Sequence, residues 1–536
     1  MILLDFLVLF WYTGISKKTK EIFYGNKRRS DRRIIQENRE LEKENSRLHE
    51  TVAFLTHKLY GSRSEKTSSL QIEGQMSLFD EIEVCEDQTV EEPKLKDIEG
   101  YRRKKAKGHK EQLLKNLPHH KKLCTLTEQE RYCETCGAPL YSVGEEFVRT
   151  EVEYIPAQIR VIDYYRETFE CRECRKAGRE YMEKSPMPDA VMQHSLASPS
   201  TISWVIHQKF ELAVPLYRQE KEWEMLGLKL SRATMANWIM VSFRDWLSPV
   251  VDLLKKHLLE ESYLHIDETP VQVMNEEDRK NTTKSYMWVY STIKESGHPI
   301  RYFEYQPGRS GQYPKEFLKG YNGFIHTDAY KGYEAVKGIT RCFCWTHLRR
   351  YFVDALPKDV KQKDNTIPAT AIQYINKLFE IENRLEILSA EGRKEQRLIQ
   401  EKPVLDAFWS WAETAAKEIA PRSKLGAAFT YAFNQKEGLM NYLLDGNCSI
   451  SNNLAENCIR PFTIGRKNWL FSGSPKGATA SAGIYTLVET AKANGLDPMK
   501  YITFILGDLP GTDYLNYPEY LDDYLPWGSI VQKRCK

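Results

Sequence analysis

Three acidic residues stand in settings that suit metal-dependent phosphoryl transfer. Asp267 lies in the alternating run Tyr263-Leu264-His265-Ile266-Asp267-Glu268-Thr269, Asp328 follows the run Phe324-Ile325-His326-Thr327, and Glu456 sits in the segment 450–461, which opens on capping residues. Clustered carboxylates can hold two Mg²⁺ (or Mn²⁺) ions about 4 Å apart, one serving the attacking oxygen and the other the leaving oxygen of an in-line displacement. A second chemistry is written in cysteine. Cys133-x-x-Cys136 and Cys171-x-x-Cys174 are paired at zinc-ligand spacing, with 34 residues between the pairs. Four thiolates close a tetrahedron, so the Zn²⁺ would be structural. Redox use of a Cys-x-x-Cys is the lesser alternative, because no thioredoxin-like βαβ context surrounds it.

Positioning the acids is a task for strands and one helix. Runs at 263–269, 285–290 and 300–305 alternate and are joined by short polar turns. A helical stretch at 313–319 precedes two further strands, at 324–328 and 341–345. Three strands, a helix, a strand, a helix and a strand is the order of an RNase H-like fold, with one acid on the first strand and a second at the end of the fourth. Alternation places His265, Asp267 and Thr269 on one face, opposite Leu264 and Ile266, which favours Asp267 over its neighbour Glu268 as a ligand. Residues 356–446 read as a helical insertion with proline breaks at 357, 368, 403 and 421. Beyond it, Ser451 or Asn452 can cap a short helix that Pro461 ends, with Asn453, Glu456, Asn457 and Arg460 on one face. Arg460 would contact the scissile phosphate or pair with an acid.

Other residues carry weaker signals. His347, in Cys344-x-x-His347, would touch DNA, organise the site or sit in the core. Arg349, Arg350, Arg466, Lys467 and Lys476 suit phosphate contacts and equally suit a solvated surface. Cys342 and Cys344 read as buried strand residues, since no further ligand spacing completes a second zinc site. The Gly473–Gly477 stretch lacks the Lys-Ser/Thr of a P-loop, so ATP is not implied.

The 536 residues suggest three or four domains at roughly 150 residues each. Lys plus Arg (77) against Asp plus Glu (74) excludes a uniformly basic coat, so a nucleic-acid surface must be local. Residues 1–15 are apolar but interrupted by Asp5. They are too short to span a bilayer and lack the basic flank of a signal peptide. They read as a buried or partner-bound segment, or as a mistaken translation start. Ile34, Leu41, Leu48 and Leu55, offset from Asn38, Asn45, Val52 and Leu59, form a heptad that suits a parallel dimer or a helix packed on its own domain. Ten acids between Glu73 and Glu99 mark a linker, and nine Lys/Arg between Arg102 and Lys122 a basic arm. Within the linker, Gln75, Leu78 and Phe79 resemble the short peptides by which bacterial proteins dock on the replicative sliding clamp; the alternative is docking on the chain's own surface. Gly227, Ser231 and the exposed-looking Arg232, Thr234 and Asn237 outline a helix-turn-helix.

Taken together, these stretches strongly resemble the large DDE-type transposase of the insertion-sequence-66 family. The similarity runs through LYGSRSEK (59–66), the four cysteines, PLYRQE (215–220), HIDETPVQV (265–273), HTDAYKGY (326–333), CWTHLRRYF (344–352), SNNLAENCIRPFTIGRKNWLFSGSPKGA (451–478), LVETAKANGLDP (487–498) and Leu525-Pro526-Trp527. The resemblance covers residues 34–528, and the apolar leader departs from it. It implies a catalytic triad of Asp267, Asp328 and Glu456 acting with Mg²⁺ or Mn²⁺. The partners it implies are transposon-end and target DNA, a homodimer or higher assembly, and accessory proteins of the same element. The expected organisation is multidomain α+β. A leader (1–33) precedes the coiled coil (34–66), the acidic linker and basic arm (67–123), a zinc domain (124–190) and a helical helix-turn-helix-like region (191–260). The RNase H-like core follows in two parts (261–355 and 447–500) around the insertion (356–446), with a tail at 501–536. A soluble protein of the bacterial cytoplasm is expected, with no membrane partner. The rival readings are a nuclease without strand transfer and a non-catalytic DNA-binding protein derived from a transposase.

Overall fold

The computed structural model describes residues 158–179, 182–357 and 366–536, with isolated positions between 121 and 147. The chain divides into two units, one of which holds residues 163–536. The apolar leader, the heptad, the acidic linker with Gln75, Leu78 and Phe79, nearly all of the basic arm, and Cys133 and Cys136 lie outside the described residues.

Strands β1 (Thr168–Glu170) and β2 (Met182–Lys184) pair antiparallel around α1 (Arg172–Lys176), which starts at Cys171. Helix α2 (Pro199–Ile206) opens on a reciprocal capping box between Ser198 and Thr201, with proline where no N–H is needed. Helices α3 (Leu216–Met225) and α4 (Arg232–Ser242) meet through a turn in which Gly227 takes φ +93°. Ser231 caps α4 by accepting from the Thr234 amide at 3.1 Å. Met235, Trp238 and Ile239 face the core, while Arg232, Thr234 and Asn237 face solvent. Helix α5 (Ser248–Glu260) leads into the sheet.

The sheet contains β3 (Tyr263–Val273), β4 (Lys284–Thr292), β5 (Arg301–Gln306), β6 (Phe324–Thr327) and β7 (Thr340–Phe343), with α6 (Gln312–Phe317) between β5 and β6. Its order is β5-β4-β3-β6-β7. The first three strands are antiparallel neighbours, and β6 and β7 run parallel to β3. Between β6 and β7 the expected helix is only a 3₁₀ turn, Lys331–Ala335. Gly332 and Gly338 (φ +80°) interrupt that stretch, and the fully buried Tyr333 pins it by donating to Glu268 at 2.6 Å.

Helix α7 (Trp345–Asp354) is followed by the insertion helices α8 (Ile367–Leu385), α9 (Ala390–Ala415), α10 (Lys424–Asn434) and α11 (Lys436–Met440). Pro368 lies in the first turn of α8, as a break would require, but Pro403 lies inside α9. A proline costs a helix interior about 3 kcal/mol. Here the turns on either side are anchored by the buried Arg397, which bonds Glu382 at 2.6 and 2.8 Å, and by Leu405, Phe408 and Trp409. Pro461 likewise does not end α12 (Asn453–Trp469), because Ile459, Phe462 and Gly465 continue its buried face. The helix stops at Leu470, where φ is +65°. Strand β8 (Phe471–Ser472) then joins β3 in parallel, and α13 (Pro475–Ala493), α14 (Pro498–Asp508) and α15 (Ser529–Arg534) complete the chain.

Two apolar clusters hold these layers. One joins α2, α4 and α5 to β3–β5, α12, α13 and α14. The other joins the end of β7 and α7 to the insertion. Among the described residues, no helix is long and apolar enough to cross a membrane.

Close packing in the first cluster leaves α13 no room for a side chain at Gly483, where a Cβ would strike the Phe243 ring. Gly483→Ala should lower stability by about 1–3 kcal/mol in urea titrations; an unchanged midpoint would show that this contact yields easily.

Candidate active site

Asn452 is the hub of the candidate site. It lies just before α12 and is buried. Its side chain does not cap the helix, as the sequence suggested, but turns toward β3. Nδ2 donates to the Ile266 carbonyl at 2.9 Å, and Oδ1 meets His265 Nδ1 at 2.8 Å. Its backbone amide donates to Cys344 Sγ at 3.1 Å. Further along α12, Arg466 donates to Thr269 Oγ1 at 3.0 Å and to the Pro270 carbonyl. The helix that carries Glu456 is thereby fixed along the strand that carries Asp267, facing the side on which His265, Asp267 and Thr269 alternate.

The charges of Asp328 and Glu456 are both felt at Asp267. Burial holds the Asp267 carboxyl well above the usual carboxylate range, and the charges of Glu268, Glu456 and Asp328 push in the same direction. Its Oδ1 accepts from the Glu268 amide at 2.9 Å. Asp328 Oδ1 accepts from the Tyr330 amide at 2.9 Å, and its Oδ2 faces Arg309 Nη2 at 3.3 Å. Glu456 Oε1 is buried and takes no hydrogen bond. It faces His347 Nε2 at 3.6 Å, and Oε2 faces Arg350 at 3.9 Å.

The neighbouring cations divide into two groups. Arg309, on the loop after β5, bonds Glu268 at 2.5 Å and so bridges Glu268 to Asp328. Glu268 is therefore engaged by Arg309 and Tyr333. Burial opposes charge on His347, but its hydrogen bond to Cys344, the Cys344 charge and the Glu456 carboxylate outweigh this and push it up to about 9. One ligand atom each of Cys344, His347 and Glu456 lies within 4.8 Å of the other two. Arg349 points elsewhere, donating to Asn376 of the insertion at 2.8 Å. Arg460 is half-buried on α12, while Lys467 and Lys476 are exposed on α12 and α13. Sequence reasoning missed Arg309 and Tyr333, whose only signal was their place on loops flanking the strands.

In the other metal-type element, Cys171 and Cys174 are hydrogen-bonded to each other at the start of α1. Cys174 lowers the Cys171 thiol, and Cys171 raises the Cys174 thiol.

Comparison with known proteins places the chain in a family. Residues 194–480, more than half of the chain, match the profile described as "Transposase IS66 family". Residues 130–175, spanning all four paired cysteines, match the "zinc-finger binding domain of transposase IS66", and residues 47–121 match "Transposase C of IS166 homeodomain". The chain belongs to the IS66 transposase family. It is also similar to two proteins of Sinorhizobium fredii (strain NBRC 101917 / NGR234). With uncharacterized protein y4hP it shares 28% identity over 74% of this chain and 73% of that one. With uncharacterized protein y4jD it shares 25% over 90% of this chain and 94% of that one.

Two outcomes follow from this geometry. Asn452→Ala leaves the Ile266 carbonyl and the His265 ring without their buried partner. It should cost roughly 2–4 kcal/mol in chemical denaturation, and a loss under 0.5 kcal/mol would contradict the hub. Asp267→Asn should stabilise the metal-free protein, because ionising Asp267 in the fold works against its neighbours. A raised folded pKa makes that penalty absent below the ordinary carboxylate range and larger as pH rises through the folded value. The variant should melt above wild type near neutral pH, and the difference should vanish near pH 4. A variant less stable than wild type at neutral pH would refute it.

Proposed function

We propose that this transposase binds the terminal inverted repeats of its own element and catalyses DNA cleavage and strand transfer at Asp267, Asp328 and Glu456 by a two-metal DDE mechanism. The observation that carries the reading is the placement of Asp267 on β3, of Asp328 just after the neighbouring β6 and of Glu456 on α12, which is bonded to β3, with the Asp267 carboxyl raised by burial and by the charges of Glu268, Glu456 and Asp328. The sheet order β5-β4-β3-β6-β7, with Asp267 on the central strand and Asp328 just after its parallel neighbour, supports an RNase H-like core at 261–355 and 447–500 around the insertion at 356–446.

The donor set fits divalent cations. It gathers hard oxygen ligands, one of them the buried Glu456 Oε1 without a hydrogen bond, in a place where like charges oppose one another. The chemistry supplied by bound Mg²⁺ or Mn²⁺ is Lewis-acid activation of the attacking oxygen and charge neutralisation at the leaving oxygen. The chain's own residues do the rest. Asn452 and Arg466 fix α12 so that Glu456 meets Asp267. Arg309 neutralises Asp328 and Glu268 and is placed to follow charge as it shifts to a phosphate. His347 and Arg350 hold positive charge beside Glu456, where a DNA strand would pass.

DNA is held elsewhere too. The exposed Arg232, Thr234 and Asn237 of α4 suit groove contacts, and Arg460, Lys467 and Lys476 suit phosphates. Arg349, engaged with Asn376, supports the insertion instead. Zn²⁺ on Cys133, Cys136, Cys171 and Cys174 closes a ribbon between residues 124 and 190. The heptad supports pairing of two chains on two DNA ends, Gln75, Leu78 and Phe79 dock on the sliding clamp, and accessory proteins of the element assist. The protein acts in the bacterial cytoplasm.

The test is strand transfer with purified protein, labelled element ends, a plasmid target and Mg²⁺ or Mn²⁺. Joined products should form and fall at least about 100-fold in Asp328→Ala, as loss of roughly 3 kcal/mol of transition-state stabilisation requires. Cleavage without joining would favour a nuclease. End binding with no product from either protein, even with accessory proteins added, would favour a non-catalytic role.

A further inference from the structure

A second set of metal-type ligands lies one strand step from the acids. Parallel register sets His265 beside His326, and His326 beside Cys342, across β3, β6 and β7. The two imidazole rings stack at 4.5 Å. Cys448, on the segment that returns from the insertion, lies over this row, and the neighbouring Ser449 amide donates to His326 Nε2 at 3.1 Å. His326, Cys342 and Cys448 are all fully buried, and one ligand atom of each lies within 4.8 Å of the other two.

We propose that His326, Cys342 and Cys448 bind a zinc ion, separate from the four-cysteine element. Zn–S and Zn–N bonds of about 2.3 and 2.1 Å put tetrahedral neighbours roughly 3.6 Å apart, so closing the set takes shifts on the order of 1 Å. Two thiols and an imidazole are a soft set that selects zinc over magnesium. Buried thiols alone need no explanation, since free cysteine packs as a small apolar residue. The imidazole does: a fully buried histidine between two buried thiols stands where an apolar side chain would pack without desolvating a polar ring. The buried Arg397 guanidinium donates to the Cys448 carbonyl at 2.8 Å and so fixes the backbone that carries this thiol. Ligation through Nε2 would take over the lone pair that accepts from the Ser449 amide, and that amide would then turn to the Cys448 thiolate. His265, whose Nε2 lacks a partner, or a water completes the tetrahedron.

The ion would staple the strands that lead to Asp267 and Asp328 to the segment that leads to Asn452 and Glu456. Cys342 and Cys448 are separated in sequence by the whole insertion, which is why spacing could not reveal the set.

The experiment is a zinc count per chain on full-length protein by plasma mass spectrometry, with zinc-edge X-ray absorption on the wild type. Two zinc ions with a mixed sulfur and nitrogen shell are expected, falling to one in Cys448→Ser and to one in Cys171→Ser. A single wild-type zinc, bound by sulfur alone and lost in Cys171→Ser, overturns the proposal. So does an unchanged count in Cys448→Ser, or an intact mass short by two hydrogens, which marks a Cys342–Cys448 disulfide. A single zinc lost in Cys448→Ser but kept in Cys171→Ser upholds this site and refutes the ribbon. The wild-type count and shell decide the matter even if Cys448→Ser fails to fold.

Discussion

Asn452 is bonded to two strand residues, Ile266 and His265, and to the thiol of Cys344, at the point where the chain returns from its long helical insertion. The insertion separates Asp328 from Glu456 by more than a hundred positions, so closing that loop is entropically costly and must be repaid by specific contacts at the return. The Trp345 amide, bonded to the Ile450 carbonyl at 3.1 Å, and the Ser449 amide, bonded to His326, extend the same seam. The seam brings the helix of Glu456 back beside the strand of Asp267.

Gathering carboxylates there is unfavourable in itself. Asp267 is pressed by three carboxylates as well as by burial. Arg309 relieves Glu268 and Asp328, and His347 and Arg350 relieve Glu456, whereas the charges felt at Asp267 are those of carboxylates. Local instability of this kind is held in place by the surrounding fold, and it marks sites built for a cation or a reacting group. The apolar clusters on either side supply the rigidity that holds it.

Much of this was legible in the sequence. The five strands alternate or run apolar within a few residues of where they form, because a period of two is a strong signal over β-branched and aromatic residues. The settings of Asp267, Asp328 and Glu456 were readable for the same reason. The prolines misled: Pro403 and Pro461 carry ordinary breaker chemistry, yet tertiary burial on both sides carries α9 and α12 through them. The segment after Asp328 also failed to form its expected helix, since two glycines and the Tyr333–Glu268 bond favour a turn. Local pattern allows Ser451 or Asn452 as the cap, and only the fold shows the Asn452 amide bridging to β3. Arg309 and the His326–Cys342–Cys448 set depend on contacts between distant segments, which no local pattern encodes.

The central claim is that Asp267, Asp328 and Glu456 share divalent metal. Iron-directed backbone cleavage tests it without relying on catalysis. Fe²⁺ would be exchanged into the Mg²⁺ site and hydroxyl radicals generated with ascorbate and peroxide. The account predicts cuts clustered at three segments, around residues 267, 328 and 456, suppressed by excess Mg²⁺ and weakened together in Glu456→Gln. Cleavage confined to other segments, or Mg²⁺-suppressible cuts that leave one of these three untouched, would contradict it.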